Sequence, residues 1–490
     1  MTTWTRELAR TTLYPLLQRH RYPGARAHWR RLQALEFAGA AVLARHGLEQ
    51  RTRLLRHAAA HVPYYRDLCG DLTAAGSGDG AIGSVDTWRS LPILSKTILA
   101  AQPKRFLADT HVAYRLLANA TGGSTGTPVH FFQDQSYWDQ ARAAQRLMES
   151  WWNIRPGDTT AALWGADRDM ADLGWKHRLA GRIEQRRACN VFKLDPNRLE
   201  AFAGELQAWQ PRLLMGYASA LRLFAEYVQH HPRLRIRPIA VKSSAEVLTP
   251  ETRAAVEAAF RAPVFDFYGS REVNNLAAEC GAHRGLHANM LTRYIEIVDG
   301  HGRAVPPGVP GRILVTDLSN YAMPFIRYEN EDIGAWSGRP CVCGRSLPLL
   351  GRIWGRQSDF LTTTNGSLIH GEYFTHWFYE LPQVRTFQII QSAPDRVDME
   401  VVTAEGTSAA ATRELLHVLE RRLQETLGAG MRCEARAVPA IERAASGKHR
   451  FTVSTLNQHW TAARPPIAGV APVGHNTPAA RPEENPDAAA

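Results

Sequence analysis

Thr121-Gly-Gly-Ser-Thr-Gly-Thr-Pro128 is the stretch on which the reading of this chain turns. Three glycines (Gly122, Gly123, Gly126) leave the backbone bare, and the other four positions from Thr121 to Thr127 all carry hydroxyls. N–H groups in such a loop can turn toward an anion, and Ser124, Thr125 and Thr127 add side-chain donors. A polyphosphate can be held in this way. A Gly/Ser turn between strands has the same composition, so the loop by itself leaves both readings open. It is not a Walker loop, because G-x-x-x-x-G-K-[ST] requires a lysine that is absent here. An apolar run at 114–117 precedes it, and the strand-like Val129-His-Phe-Phe132 follows.

Around that loop the composition is that of a globular protein: 490 residues, 44% hydrophobic and 21% charged. The length implies two or three domains. No apolar run is long enough to span a membrane, and the start, Met1-Thr-Thr-Trp-Thr-Arg-Glu, lacks the pattern of a signal peptide. Six cysteines are too few for a disulfide scaffold and point to the cytoplasm. The net charge of +11 comes from scattered arginines, as at 19–31 and 178–187. These read as solvated helix faces, and no nucleic-acid motif accompanies them.

Residues 1–110 read as a helical part of a large domain, interrupted at His61-Val-Pro-Tyr-Tyr-Arg-Asp-Leu68 and by a small loop at 76–83. From 111 to 358, short apolar runs at 160–164, 212–215, 238–241 and 264–267 alternate with helical periodicity at 198–209, 219–229 and 250–260. Thr249 followed by Pro250 marks a helix start. This alternation predicts an α/β core with a partly parallel sheet. Residues 359–460 change character, with strands at 387–391, 397–402 and 432–438 and a helix over 409–427, giving a small α+β domain. The Ala/Pro/Gly-rich 461–490 reads as a disordered tail.

Five elements fall in one order: the loop at 121–128; Ser243-Ser-Ala-Glu246; Phe267-Tyr-Gly-Ser-Arg-Glu272; Arg327-Tyr-Glu-Asn-Glu-Asp332 with Gly355-Arg-Gln-Ser-Asp359; and Ser446-Gly-Lys-His-Arg450. Together they resemble the adenylate-forming superfamily, in particular the phenylacetate–CoA ligase-like proteins and their branch associated with capsular polysaccharide biosynthesis. Val62-Pro-Tyr-Tyr65, Leu91-Pro-Ile-Leu-Ser-Lys96 and Phe387-Gln-Ile-Ile-Gln391 fit the same branch, so the resemblance spans roughly 10–460. It implies a large multi-subdomain α/β N-terminal domain, which binds ATP and the acid, and a small mobile C-terminal domain.

The resemblance also assigns roles. The 121–127 loop holds the β- and γ-phosphates of ATP, and Glu272 helps to hold Mg²⁺. Tyr268, with Gly269 and Ser270 after it, offers a face to adenine, while Ser244, Ala245 and Glu246 meet its edge. Asp332 accepts from the ribose hydroxyls, Arg356 lies near ribose and phosphate, and Asp359 is the hinge. Lys448 serves adenylation from the small domain. It also stands out by composition, as one of six lysines in a chain with 58 lysines and arginines, hence 52 arginines. A compact ammonium on a flexible stem suits a site where carboxylate and α-phosphate meet.

The acyl acceptor implied is coenzyme A. An amine or hydroxyl acceptor in polysaccharide or natural-product synthesis is the alternative, and a non-catalytic binding relative is the rival of a different class. Two departures from the family pattern are Arg271, where a small hydroxyl residue is usual, and Val129, where many members have lysine. An aromatic wall for the acid, drawn from Trp138, Trp151, Trp152, Trp164 and Phe224, competes with burial of these residues in the core.

Cys341-Val-Cys343-Gly forms a tight cysteine pair, and Cys280-Gly-Ala-His283-Arg-Gly-Leu-His287 lies upstream. Three thiolates and one imidazole complete a tetrahedral zinc site of structural type. By resemblance the imidazole is that of His287, at the head of a strand-like stretch over 287–297.

Overall fold

The computed structural model describes residues 7–74, 84–120, 129–164, 175–190, 196–356, 360–364, 368–370, 374, 376–378, 381, 383–441 and 450–456. The chain divides into two compact units: 1–357 with 442–450 and 458–462, and 358–441 with 451–457 and 463–490.

In the first unit, β1 (Leu117–Ala120) and β2 (His130–Gln133) form an antiparallel pair with Ala120 opposite His130. The glycine-rich loop 121–128 runs between them and lies outside the described residues. The central sheet begins with five parallel strands: β3 (Thr160–Trp164), β4 (Arg186–Asn190), β5 (Leu213–Tyr217), β6 (Ala240–Ser244) and β7 (Val264–Tyr268). It continues antiparallel through β8 (Ala277–Glu279), β9 (Leu286–Ala288), β10 (Arg293–Val298), β11 (Gly311–Asp317), β12 (Tyr328–Trp336) and β13 (Leu349–Arg356). The spatial order is 10-11-12-13-9-8-7-6-5-3-4. The sheet is therefore α/β and parallel only in part.

Both faces of the parallel half are covered, which is why these strands are near-continuous apolar runs. Leu163, Leu214, Val241 and Val264 pack against helices Pro196–Trp209, Ala218–His230 and Pro250–Phe260. The alternate positions Leu213, Ala240, Phe265 and Phe267 face helix Gln135–Trp151 and its Leu147, Met148 and Trp151. Thr249 caps helix Pro250–Phe260 by accepting the N–H of Thr252 at 3.2 Å, and Asp134 caps Gln135–Trp151 through Tyr137 at 2.8 Å.

The structure corrects two local readings and decides a third. The break at 61–68 is confined to Val62, since a helix resumes at Pro63 and runs to Ala74; proline is tolerated in a first turn because its missing N–H has no helical partner there. The stretch 287–297 is two strands, β9 and β10, separated by a turn whose Arg293 N–H donates to Asn289 O at 3.1 Å. The aromatic wall does not form. Trp151 and Trp152 lie on one side of the sheet and Phe224 on the other, all in the core, with Trp152 stacked on Phe265 at 5.3 Å. Trp164 lies against Tyr217 and Trp138 against Tyr137.

The second unit has a four-stranded sheet of β16 (Val384–Ala393), β17 (Arg396–Thr403), β18 (Arg432–Ala437) and β19 (Thr452–Ser454), in the order 18-17-16-19. A small pair, β14 (Phe360–Thr362) with β15 (Leu368–His370), accompanies it. Helix Ala409–Leu427 lays Leu415, Leu419, Leu423 and Leu427 on Phe387, Ile389, Val397, Met399 and Val401. Four leucines at i+4 spacing on alternating strands are what the sequence pattern requires. Among the described residues, no helix is long and apolar enough to cross a membrane. Asp359, Lys448 and the tail 461–490 lie outside the described residues, as does the side chain of Arg356.

Candidate active site

Open α/β sheets present ligands at the carboxyl ends of their parallel strands. Here β5, β6 and β7 end at Tyr217, Ser244 and Tyr268, with Ser244 opposite Tyr217 and Phe267 in the two registers. Ala245, immediately after β6, has φ of 69°. A non-glycine residue in that region is held there by its surroundings at a cost of about 1 kcal/mol or more. Glu246 follows, and its carboxylate accepts the Ser219 N–H at 2.8 Å, tying the end of β6 to the start of helix Ala218–His230.

Beyond β7, the turn Gly269-Ser270-Arg271-Glu272 is fixed from several sides. Ser270 Oγ accepts the Val273 N–H at 3.2 Å, and Gln133 Nε2 donates to the Glu272 carbonyl at 3.1 Å. Arg293, fully buried and ion-paired to Asp317 at 2.9 Å, donates to the Val273 carbonyl at 2.9 Å. A side chain at Gly269 would meet the Asn275 nitrogen at 3.2 Å, so the turn is closed against its neighbours. Glu272 itself is 7% exposed. Its Oε1 accepts from the Tyr328 hydroxyl at 3.1 Å, and it has no cationic partner among the described residues.

Strand β12 supplies the opposite wall. Its positions 328, 330 and 332 share one face, as a strand's period of two requires. Tyr328 reaches Glu272, whereas Asn330 and Asp332 converge on Tyr268. The Tyr268 hydroxyl donates to Asp332 Oδ2 at 2.6 Å, and Asn330 Nδ2 donates to both the Tyr268 oxygen (2.8 Å) and Asp332 Oδ2 (2.5 Å). Tyr268 is thereby held by its tip, and its ring is fixed beside Asp332. Arg356 stands opposite Asp332 in the β12–β13 register. Residues 91–96 run along the other side of β12, with Leu94 N–H donating to Arg327 O and Glu329 N–H to Leu94 O. That places Lys96 Nζ 2.5 Å from Glu331, next to Asp332.

Sequence reading had thus named Tyr268, Glu272 and Asp332, which the structure brings to one end of the sheet, but not Asn330, Tyr328 or Lys96. The signal for the first two was present: Tyr328, Asn330 and Asp332 alternate within the motif itself. Lys96 is distant in sequence, and only the strand-like pairing of 91–96 with β12 reveals it.

A second cluster lies on β8, β9 and the loop before β13. Ligand atoms of Cys280, His287, Cys341 and Cys343 all fall within 4.8 Å of one another. Cys280 Sγ and Cys341 Sγ are 3.7 Å apart, and Cys343 Sγ is 3.3 Å from His287 Nε2. Zn–S bonds of about 2.3 Å in a tetrahedron put two sulfurs about 3.8 Å apart, so the donor set and spacing fit zinc. His287 Nδ1 lies 3.2 Å from the Leu347 carbonyl, which fixes the tautomer and leaves Nε2 directed at the thiols. Burial pushes the His287 pKa down to about 4 and the Cys280 thiol up to about 12. Burial also opposes ionisation of Cys343, but hydrogen bonds from Arg345 hold its thiol below the usual range. His283 belongs elsewhere: its Nδ1 meets Glu279 at 3.2 Å beside the bidentate Arg253–Glu279 pair.

Comparison with known proteins agrees with this geometry. Residues 361–455 match the CapK C-terminal domain. Protein CapK of Staphylococcus aureus is 22% identical over 348 residues, covering 70% of this chain and 75% of its own. A phenylacetate-coenzyme A ligase of Pseudomonas putida is 26% identical over 347 residues, covering 67% and 74%. A solved 2-hydroxyisobutyryl-CoA ligase, in complex with an acyl-AMP in the postadenylation state, superposes with a TM-score of 0.66 at 21% identity over 86% of this chain and 91% of that one. Motif order, sheet topology and these likenesses converge: the chain has the fold of the adenylate-forming ligases and is similar to the phenylacetate–CoA ligases and to protein CapK, whose C-terminal domain it carries at 361–455.

Proposed function

We propose that this protein activates a carboxylic acid with ATP as an acyl-adenylate and passes the acyl group to coenzyme A. The observation that carries this reading is Glu272. A buried carboxylate bonded only to a hydroxyl, with no cation among the described residues, is costly unless a cation arrives with the ligand. Its hard oxygens suit Mg²⁺, which when bound neutralises phosphate charge and orients the polyphosphate.

In the first step a carboxylate oxygen of the acid attacks the α-phosphorus. The bond to the pyrophosphate oxygen breaks, giving acyl-AMP and pyrophosphate. Tyr268, pinned by Asp332 and Asn330, presents a fixed ring to adenine. Asp332 accepts from a ribose hydroxyl. The loop 121–127, Arg356 and Lys448 supply positive charge and donors around the phosphates, Asp359 the hinge. In the second step the thiolate attacks the acyl carbon and AMP leaves. Zinc on Cys280, His287, Cys341 and Cys343 has a structural part, since four protein ligands leave no open position. Bound there, it would tie β8 and β9 to the loop before β13, one strand away from Tyr268.

The relatives support the acyl-CoA reading, a phenylacetate-coenzyme A ligase and a 2-hydroxyisobutyryl-CoA ligase being among them. The test is acid-dependent exchange of pyrophosphate into ATP across aryl, short hydroxylated, fatty and sugar acids. Exchange with one acid class that is lost in Asp332→Ala is the expected result. Tight ATP binding without exchange for any acid would sink the proposal.

A further inference from the structure

Helices Ala25–Leu35, Ala40–His61 and Gln135–Trp151 border a partly open cavity of about 70 Å³ together with Leu291, Thr292 and Tyr321. A water needs about 10–15 Å³ of such space, so the cavity holds about five waters, the room of one tetrahedral oxyanion rather than a nucleotide. Its lining is basic. His28, Arg31, His46 and Arg53 contribute, with Gln50, Ser136 and Gln140 as neutral polar neighbours, and no acidic side chain lines it.

Two observations show that these groups are not used up by the fold. Arg31 and Arg53 are exposed residues whose guanidiniums make no hydrogen bond or ion pair among the described residues, so both are free to turn to a ligand, Arg53 lying over the Tyr321 ring at 5.1 Å. Tyr321, 8% exposed, has a buried hydroxyl oxygen without any partner. A buried hydroxyl left unpaired costs about 1–3 kcal/mol, so such groups are normally satisfied by protein, water or ligand. Asp139, the carboxylate whose charge reaches His28, is occupied by the Gly24 N–H at 2.9 Å and Gln135 at 3.0 Å.

The site is also rigidly mounted. The Tyr321 N–H donates to Asp134 Oδ2 at 2.8 Å, and the same Asp134 caps the helix that carries Ser136 and Gln140. His46 Nε2 bonds the Leu291 carbonyl at 3.0 Å, closing another side. None of these residues belongs to the Tyr268–Glu272–Asp332 site.

We propose that this cavity is a second anion site that takes a phosphate group, held by the planar forks of Arg31 and Arg53 and by the Tyr321 hydroxyl. Guanidinium pairs match phosphate oxygens in two-point fashion, and a dianion gains most from two of them. The nucleotide site is a separate matter, because its phosphates are assigned to the loop 121–127, which precedes β2 in the chain, whereas the cavity is lined from the helix that follows β2.

The probe is inorganic phosphate, titrated against the full chain at constant ionic strength and followed by melting temperature and calorimetry. Phosphate should raise the melting temperature of the wild type, because a ligand of the native state stabilises it by mass action. The rise should persist in Ser124→Ala/Thr125→Ala, which disables the nucleotide loop, and vanish in Arg31→Gln/Arg53→Gln. Tyr321→Phe should weaken phosphate about tenfold, keeping the proposal testable should the double arginine variant fail to fold. Three outcomes overturn it: no rise in the wild type, an equal rise in the arginine variant, or an equal effect of acetate. Loss of the rise only in Ser124→Ala/Thr125→Ala also overturns it, because the phosphate then sits in the nucleotide loop.

Discussion

Glu272 and Lys242 are both buried charges, and they differ in what surrounds them. Glu272 accepts one hydroxyl and faces no cation among the described residues. Glu272→Gln keeps an oxygen for Tyr328 and removes the charge. Pyrophosphate exchange should fall at least about a hundredfold, or about 2.7 kcal/mol of barrier, while the melting temperature stays level or rises. A large loss of stability instead would mean that the carboxylate serves the fold. Lys242, 6% exposed on β6, has its ammonium 3.4 Å from the centre of the Phe267 ring, and burial lowers its pKa from 10.5 to about 8. The native state therefore releases this proton before the unfolded chain does. The contribution to stability is complete above about pH 10.5 and is lost as pH falls through about 8, so near pH 7 the buried charge is a burden. Lys242→Met should raise stability at pH 7 by on the order of 2–3 kcal/mol and abolish the rise between pH 8 and 10.5, read from chemical denaturation across that range.

Among the elements, those with strong periodicity were legible before the structure. Residues 409–427 form the helix Ala409–Leu427, and the short apolar runs became β3, β5, β6 and β7, because burial on both faces leaves a sheet strand little choice of residue. What escaped was fixed by pairing across the chain. Asn330 matters because β12 sets it beside Tyr268, and Lys96 because residues 91–96 dock along the same strand. The Cys/His cluster lies between these cases. Its residue types were visible, but their convergence depends on β9 pairing with both β8 and β13. If zinc holds those three segments together, metal analysis should find one zinc per chain, and a strong chelator or Cys341→Ser should lower the melting temperature by several degrees. Exchange activity should decline with it, because β8 is the neighbour of β7, which ends in Tyr268. A zinc-free protein with unchanged melting would leave the four residues as a reduced thiol cluster.

At the scale of the molecule, two compact units divide at 357/358, and the proposed hinge Asp359 falls at that division. Two chemical steps with different acceptors pose a problem for a single rigid site. The group that neutralises the α-phosphate in the first step has no task at the thiol in the second. The chain's own usage bears on this. Of the four lysines among the described residues, Lys96 pairs with Glu331 beside Asp332 and Lys242 precedes the Ser243–Ser244 end of β6, so two of the four lie near the site. Lys448, proposed above to act at the phosphates, stands in a Ser446-Gly-Lys-His segment. If Lys448 belongs to adenylation alone, the two half-reactions must separate. Lys448→Ala should reduce pyrophosphate exchange by about a hundredfold or more while leaving conversion of supplied acyl-AMP and coenzyme A to thioester within a few-fold of wild type. Asp359→Pro, which stiffens the proposed hinge, should show the reverse bias, sparing adenylation and slowing thioester formation. Equal losses in both half-reactions for both variants would reject a separation of the two half-reactions and leave the two steps to one fixed set of residues.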